Sequence, residues 1–137
     1  MYAAAPSEFF NVSSVFHNRL KIPDVFPRME SDATVVYAIE HITGERTVDL
    51  YYNSPYNTYM YDGLPPGPIA NPSASAILSV LIAQETPYYY FVSDGSRTYF
   101  AVTKEEHDQN IANIKQAGLT VAVPEPDAPP APADENP

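Results

Sequence analysis

Cysteine is absent from this sequence, and basic residues are scarce, with 7 lysines and arginines against 17 aspartates and glutamates. Without cysteine, the chain has neither disulfides nor zinc sites built from thiolates. The formal net charge of −10 argues against nucleic acid as a partner, because phosphate binding requires clustered lysine and arginine.

Long apolar runs are also missing. The longest apolar-rich stretch, residues 74–83, is interrupted by serines and is too short to span a bilayer. Residues 1–6 lack the basic region and the long apolar run of a signal peptide. We therefore expect neither a membrane segment nor a targeting segment in this chain.

The common motifs of metal, phosphate and serine chemistry are absent as well. None of His17, His41 and His107 lies in a His-Glu-x-x-His pattern, so no metal site is predicted. The glycines at 63 and 67 are not followed by the Lys-Ser/Thr of a phosphate-binding loop. No serine lies in a Gly-x-Ser-x-Gly turn.

Length and composition predict a folded domain, because 137 residues with 45% hydrophobic content allow a modest core. Helical periodicity and capping residues predict four helices, at residues 6–22, 31–40 with closure at Gly44, 73–86 and 103–118. Aromatic and β-branched runs at 88–93 and 98–103 flank Asp-Gly-Ser-Arg and predict a β-hairpin. The predicted fold class is α+β: a small single domain of about four helices, a β-hairpin and a long Pro/Gly-rich loop, over residues 1–122.

The apolar stripes of the helices identify side chains that are expected to face the core. In the second and last helices these are Val35, Val36, Ile39, Ile111 and Ile114. In the third helix, Ile77, Val80 and Leu81 share one face.

Polar residues at the helix starts are expected to act as caps. Ser31 or Asp32 is predicted to cap the second helix, and Thr103 with Glu106 forms a capping box for the last. Residues 48–52 are predicted to be an extended run that leads into the long loop.

The composition changes at residue 123. Residues 123–137 are acidic and rich in proline, so they have too little apolar surface to build a core. We predict a disordered tail there.

The stretch 54–72, Ser-Pro-Tyr-Asn-Thr-Tyr-Met-Tyr-Asp-Gly-Leu-Pro-Pro-Gly-Pro-Ile-Ala-Asn-Pro, contains no helix or strand of useful length. Its prolines make residues 64–68 extended and stiff. Gly63 and Gly67 are free to take positive φ, so replacing Gly67 is expected to damage the loop more than replacing Gly95.

This loop presents alternating aromatic, amide and hydroxyl groups, namely Tyr56, Asn57, Thr58, Tyr59 and Tyr61. Such a surface suits a sugar, which offers C–H faces and many hydroxyls. The alternative is a structural Ω-like loop under which the tyrosines simply pack.

The loop, together with Ser-Val-Phe-His-Asn-Arg-Leu at 14–20, Ser-Asp-Ala-Thr-Val-Val-Tyr at 31–37, Tyr-Phe-Val at 90–92 and Glu-His at 106–107, resembles the endolytic murein transglycosylases, the MltG or YceG-like proteins. The resemblance covers roughly residues 8–115. It implies cleavage of the MurNAc–GlcNAc bonds of peptidoglycan, without a cofactor, to give 1,6-anhydro-MurNAc ends.

In that family a single glutamate protonates the glycosidic oxygen and then takes the proton of the MurNAc C6 hydroxyl, which closes on C1. Alignment with the family expects this glutamate upstream of Met1, so no catalytic residue is assigned and the chain is expected to be truncated at its N-terminus. Glu8 matches a surface glutamate of the family, and Glu106 is explained by capping.

The resemblance implies two groups of site residues. Substrate contact is expected from Asp32, Tyr56, Asn57 and Thr58. The loop is expected to be shaped by Pro65, Pro66, Gly67 and Asn71, with Asn18 and Arg19 as further loop supports. Relatives often carry glutamine where this chain has Glu30, which puts an amide contact there in doubt.

Family members are typically anchored by one N-terminal helix at the extracytoplasmic face of the cell membrane, and this chain shows no such anchor. The implied partners are peptidoglycan glycan strands and the machinery of cell-wall synthesis or division. The competing interpretation is a non-catalytic peptidoglycan-binding or cell-wall assembly module.

Overall fold

The structure is a computed structural model that describes residues 6–82 and 84–121. Within these residues, the elements in chain order are α1 (Pro6–Lys21), α2 (Asp32–Thr43), α3 (Ala74–Leu81), β1 (Tyr90–Ser93), β2 (Thr98–Ala101) and α4 (Lys104–Gln116). The α+β prediction of four helices and a hairpin is confirmed. The predicted tail at 123–137 lies outside the described residues.

The described chain divides into two compact units. The first unit contains residues 6–22, 73–82 and 84–121, and the second contains residues 23–72. The single domain predicted over residues 1–122 stays a prediction.

The first unit is built around an antiparallel pair of strands. Tyr90 pairs with Ala101 and Phe91 with Phe100, and α1 and α4 both pack on the hairpin. Phe16 of α1 meets the ring of Phe91 edge to face at 5.7 Å, a favoured geometry for aromatic pairs. The buried apolar side chains of the first unit are Val15, Val92, Ala101 and Ile114.

The end of α1 holds the segment that leads into the hairpin. The Asn18 amide donates to the carbonyls of Thr86 and Tyr88 at 2.8 and 2.7 Å. Arg19 is 5% exposed, and its Nε donates to the Tyr89 carbonyl at 2.7 Å. The described bonds of these two side chains therefore support the approach to β1, whereas the sequence predicted that they support the long loop.

Helix α3 packs on α1. Ser73 caps it by accepting from the Ala76 N–H. Ser79 is buried, whereas the apolar face of Ile77, Val80 and Leu81 is exposed. The buried side of α3 therefore carries a short polar side chain and not the apolar face that the sequence singled out.

The hairpin turn is stabilised by the Asp94 carboxylate. It accepts hydrogen bonds from the backbone N–H groups of Ser96 and Arg97, both at 2.8 Å. These bonds favour the charged form and hold the pKa of the Asp94 carboxyl below its usual value. The turn is therefore fixed at neutral pH by an ionised side chain.

Helix α4 begins with the predicted capping residues. Thr103 accepts from the Glu106 N–H at 3.2 Å, and the Glu106 carboxylate accepts from the Val102 N–H at 3.0 Å. Of the two isoleucines predicted to face inward, Ile114 is buried and Ile111 half-buried.

The second unit is centred on α2. Its buried apolar side chains are Met29, Val35, Val36, Ala38 and Ile39, which confirms the predicted core face. Ser31 occupies the cap position, but its side chain makes no capping bond. Its backbone N–H donates to the Thr58 hydroxyl. Gly44 closes the helix as predicted by donating to the Glu40 carbonyl.

Residues 45–72 contain neither helix nor strand. The extended run predicted at 48–52 is wrong, because a turn is closed there by a bond from the Tyr52 N–H to the Asp49 carbonyl. The Asp49 carboxylate accepts from the Tyr51 N–H and stabilises that turn. Among the described residues, no helix combines the length and the hydrophobicity needed to cross a membrane.

Candidate functional site

Thr58 connects the long loop to the start of α2. It is 1% exposed, and its hydroxyl oxygen lies 2.9 Å from both the Ser31 N–H donor and the Thr34 hydroxyl. Its carbonyl accepts from the Glu30 N–H at 3.1 Å. These bonds set the position of residues 58–61 against the first turn of the helix.

Asp32 and Tyr59 form the polar pair that this connection brings together. The Tyr59 hydroxyl donates to the Asp32 carboxylate, and both side chains are half-buried. Because Asp32 lies in the first turn of α2, the positive end of the helix dipole stabilises its negative charge. A carboxylate beside a tyrosine ring can accept hydrogen bonds from the hydroxyl groups of a ligand, while the ring packs on its C–H groups.

Asn57 organises the loop from inside. It is completely buried, and its amide nitrogen donates to the carbonyls of Leu50 and Tyr52 at 3.0 and 2.8 Å. Its amide oxygen accepts from the Tyr59 N–H at 2.9 Å. The predicted contacts of Asn57 and Thr58 with substrate remain predictions, and the bonds described here give both side chains a supporting role.

The backbone before α2 provides a further anchor. The Gly63 N–H donates to the Pro27 carbonyl at 2.8 Å, and Gly63 forms an isolated parallel bridge with Arg28. Gly63 has a φ of +76°, a positive value of the kind that the sequence analysis allowed for this glycine. Glu30 has a φ of +52°, which is unusual for a residue with a side chain and marks a strained entry to the helix.

Tyr56 belongs to an aromatic cluster on the side of α2. Its ring lies 5.1 Å from that of Tyr37, which in turn stacks on His41 at 5.6 Å. Gly67 does not adopt positive φ, so that expectation is wrong. Instead, a Cβ at position 67 would lie 3.1 Å from the Tyr56 hydroxyl, so the close approach of Tyr56 is what favours glycine.

The backbone of the proline segment bends at Leu64, Pro66 and Gly67, so the continuous extended conformation predicted for residues 64–68 is wrong. Pro65 and Gly67 are half-buried while Pro66 and Pro68 are exposed. Asn71 is exposed. The loop-shaping roles of these residues stay predictions.

A groove of about 400 Å³ opens beside the Asp32–Tyr59 pair. It is lined by Arg28, Leu50, Tyr51, Tyr59 and Met60. The Arg28 guanidinium donates to the Tyr59 carbonyl at 3.1 Å and to the Asp62 carboxylate at 3.3 Å. The groove thus combines aromatic and aliphatic walls with one positive charge.

Other carboxylates of the described chain have structural contacts. Glu8 accepts from the N–H and the hydroxyl of Thr98 at 3.3 and 3.4 Å. Glu40 pairs with Arg46 at 3.0 Å. Within residues 6–82 and 84–121, no cluster of three His, Asp or Glu side chains is arranged to hold a metal ion.

The sequence profile of the YceG-like family matches residues 3–113. This chain belongs to the YceG-like family. It is 38% identical over 109 residues to an endolytic murein transglycosylase of Bacillus subtilis strain 168, and the match covers 78% of this chain and 29% of that protein. An endolytic murein transglycosylase of Streptococcus pneumoniae serotype 2 strain D39 is 32% identical over 111 residues, covering 74% and 19%.

The fold is likewise that of a YceG-like protein. A crystal structure of a yceG-like protein from Listeria monocytogenes superposes with a TM-score of 0.60 at 39% identity, covering 72% of this chain and 31% of that one. The chain spans less than a third of the length of these YceG-like relatives. The resemblance read from the loop sequence is confirmed.

Two features of the site were missed at the sequence level. The Asp32–Tyr59 bond joins residues 27 positions apart, and nothing in local spacing pairs them. Arg28 was not singled out, because a lone arginine in a turn is usually a solvated charge. The only available signal was its position next to the family-like run that begins at Ser31.

The two glycines expected to differ should do so in the opposite order to the sequence-based expectation. Gly95 has a φ of +94° with open space around it, so Gly95→Ala should destabilise the protein by about 1–2 kcal/mol through backbone strain. Gly67→Ala should lower stability by less than about 0.5 kcal/mol, because only the tip of Tyr56 must move. Urea denaturation of both variants measures this, and a larger loss for Gly67→Ala would show that Tyr56 cannot yield.

Proposed function

We propose that this chain binds peptidoglycan glycan strands and forms part of an endolytic murein transglycosylase, the activity that names its Bacillus and Streptococcus relatives. The reaction cleaves the MurNAc–GlcNAc bond inside a strand. A glutamic acid protonates the leaving glycosidic oxygen. It then accepts the proton of the C6 hydroxyl as the C6 oxygen closes on C1. No water attacks the anomeric carbon, so the product carries a 1,6-anhydro ring.

The observation that carries the proposal is the Asp32–Tyr59 pair, held in place by the buried Asn57 and Thr58. A sugar needs acceptors for its hydroxyls and a flat apolar face for its ring, and this pair supplies both from fixed positions. Since the loop bonds hold Tyr59 before a ligand arrives, little conformational freedom is lost on binding.

We place the general acid outside the carboxylates described above. Glu8 is engaged with Thr98 and Glu106 caps α4, so both of these carboxylates have structural contacts. The expectation of a glutamate preceding Met1 stays a prediction. These engaged carboxylates also favour the second candidate, a peptidoglycan-binding module without catalysis. For the transglycosylase, we propose action at the extracytoplasmic face of the membrane, alongside the machinery of cell-wall synthesis or division.

The test separates binding from chemistry. The 137-residue chain is incubated with purified sacculi, and its retention in the pellet and the release of 1,6-anhydro-MurNAc ends are measured by mass spectrometry. Tyr59→Phe and Asp32→Asn should each weaken retention about tenfold, because each loses a hydrogen bond to a charged group or a sugar hydroxyl. Tyr99→Phe is the matched control, because Tyr99 donates to Asp94 in the other unit.

Retention that depends on Tyr59 and Asp32 supports the binding site. Retention without anhydro ends assigns the chain to the non-catalytic module, and anhydro ends that disappear in Glu8→Gln would make Glu8 the acid. A chain that neither stays with sacculi nor releases anhydro ends refutes the proposal.

A further inference from the structure

We propose that the groove lined by Arg28, Leu50, Tyr51, Tyr59 and Met60 binds the carboxylate-bearing peptide of a muropeptide, and that Asp62 competes with this carboxylate for Arg28. The inference rests on the proposed function, since it assumes that peptidoglycan is the ligand. It adds that the site distinguishes peptide-bearing MurNAc from an unsubstituted sugar.

Charge is the first argument for an anionic ligand. Although the chain as a whole is acidic, with a formal net charge of −10, the groove is lined by the guanidinium of Arg28, and it is this local cation that can attract an anion. Arginine is suited to carboxylate recognition, because its planar fork can donate two parallel hydrogen bonds. The Arg28 guanidinium donates to the Tyr59 carbonyl and to the Asp62 carboxylate.

The walls of the groove are the second argument. Tyr51 is 88% exposed, Leu50 is 40% exposed and Met60 is 39% exposed. Exposed side chains of this kind next to a cation fit a ligand with methyl groups and a carboxylate at a short distance from each other. The lactyl and alanyl methyl groups of a muropeptide and its peptide carboxylate have this pattern, whereas a neutral sugar lacks the charge.

The Arg28–Asp62 ion pair is exposed. The two side chains lie 3.3 Å apart and are 47% and 72% exposed. Exposed pairs of this kind are typically worth about 0.2–1 kcal/mol, so a ligand carboxylate can replace Asp62 at small loss. Asp62 therefore lowers the affinity of the groove for anions without filling it.

Two matched ligands test the proposal by calorimetry on the 137-residue chain. The first is N-acetylmuramoyl-L-alanyl-D-isoglutamine with its free carboxylate, and the second is the same compound with that carboxylate amidated. The free acid should bind more tightly than the amide. Asp62→Asn should strengthen binding of the acid by about two- to fivefold, which is the weak ion pair expressed as affinity, and leave the amide unchanged.

Arginine variants provide the reciprocal result. Arg28→Gln should abolish the preference for the acid, and Arg28→Lys should retain part of it because the charge remains. Arg46→Gln is the control, because Arg46 pairs with Glu40 in the same unit and does not line the groove.

The gain expected for Asp62→Asn does not depend on an intact Arg28 variant, so misfolding of Arg28→Gln cannot conceal a failure. Equal affinity for acid and amide, or no gain in Asp62→Asn, overturns the inference. If either result appears while the chain still binds sacculi through Tyr59 and Asp32, the proposed function stands and only the role of the groove is wrong.

Discussion

Replacing Asn57 by alanine should lower the free energy of unfolding by about 3 kcal/mol, because three hydrogen bonds of a fully buried side chain are lost at once. The substitution leaves the carbonyls of Leu50 and Tyr52 without their side-chain donor and the Tyr59 N–H without its acceptor. A buried polar group without a partner typically costs about 1–3 kcal/mol, although Leu50 is exposed enough for water to compensate in part.

Asn53→Ala is the matched control. Asn53 lies in the same segment and is exposed, and its amide oxygen accepts from the Tyr61 hydroxyl. Its removal should change stability by no more than about 0.5 kcal/mol. Urea denaturation of both variants gives the comparison, and amide hydrogen exchange should show faster opening in residues 45–72 of Asn57→Ala. Equal midpoints for the two variants would mean that Asn57 does not organise the loop.

The sequence predicted the secondary structure well wherever local chemistry decides it. The capping box marked the start of α4, Gly44 marked the end of α2, and Asp94-Gly95 with flanking aromatic residues marked the hairpin. These signals act within a few residues, so a single sequence carries them in full. The extended run predicted at residues 48–52 failed because it was inferred from β-propensity alone. The local signal there was Asp49, whose side chain favours a turn.

The site could be predicted only in part, because its key contacts join distant residues. The family-like loop sequence was sufficient to single out Asp32, Tyr56, Asn57 and Thr58. Which of these side chains face solvent depends on packing against α2, and the structure places Asn57 and Thr58 inside. A pattern of polar residues in a loop predicts that they make hydrogen bonds, but it does not say whether the partner is a ligand or the backbone.

The long-range supports of the first unit show the same limit. Arg19 near the end of α1 has a simple local explanation, since positive charge is favoured at a helix C-terminus. Its burial and its bond to Tyr89, 70 residues away, follow only from the fold. The structure therefore gives Arg19 a second role, because its side chain binds the segment that enters the hairpin.

Arg19→Ala should be the second strongly destabilising change. We expect it to lower the free energy of unfolding by about 3 kcal/mol. The side chain is 5% exposed, its Nε donates to the Tyr89 carbonyl, and its guanidinium lies 4.9 Å from the centre of the Tyr90 ring. Truncation removes the bond, the contact of the cation with the aromatic ring and the packing of a long aliphatic stem. Because these contacts fix the segment that enters β1, the hairpin should lose its position on α1.

Two controls separate burial from charge. Arg97→Ala removes a guanidinium that lies 5.3 Å from the Tyr99 ring but is exposed, so it should change stability by no more than about 0.5 kcal/mol. Arg19→Lys keeps the charge and most of the stem but loses the Nε donor, so it should fall between wild type and Arg19→Ala. Guanidinium denaturation followed by tyrosine fluorescence measures all three variants. If Arg19→Ala and Arg97→Ala unfold at the same midpoint, the buried contacts of Arg19 do not hold the hairpin, and the bland explanation of Arg19 as a helix-terminal charge is sufficient.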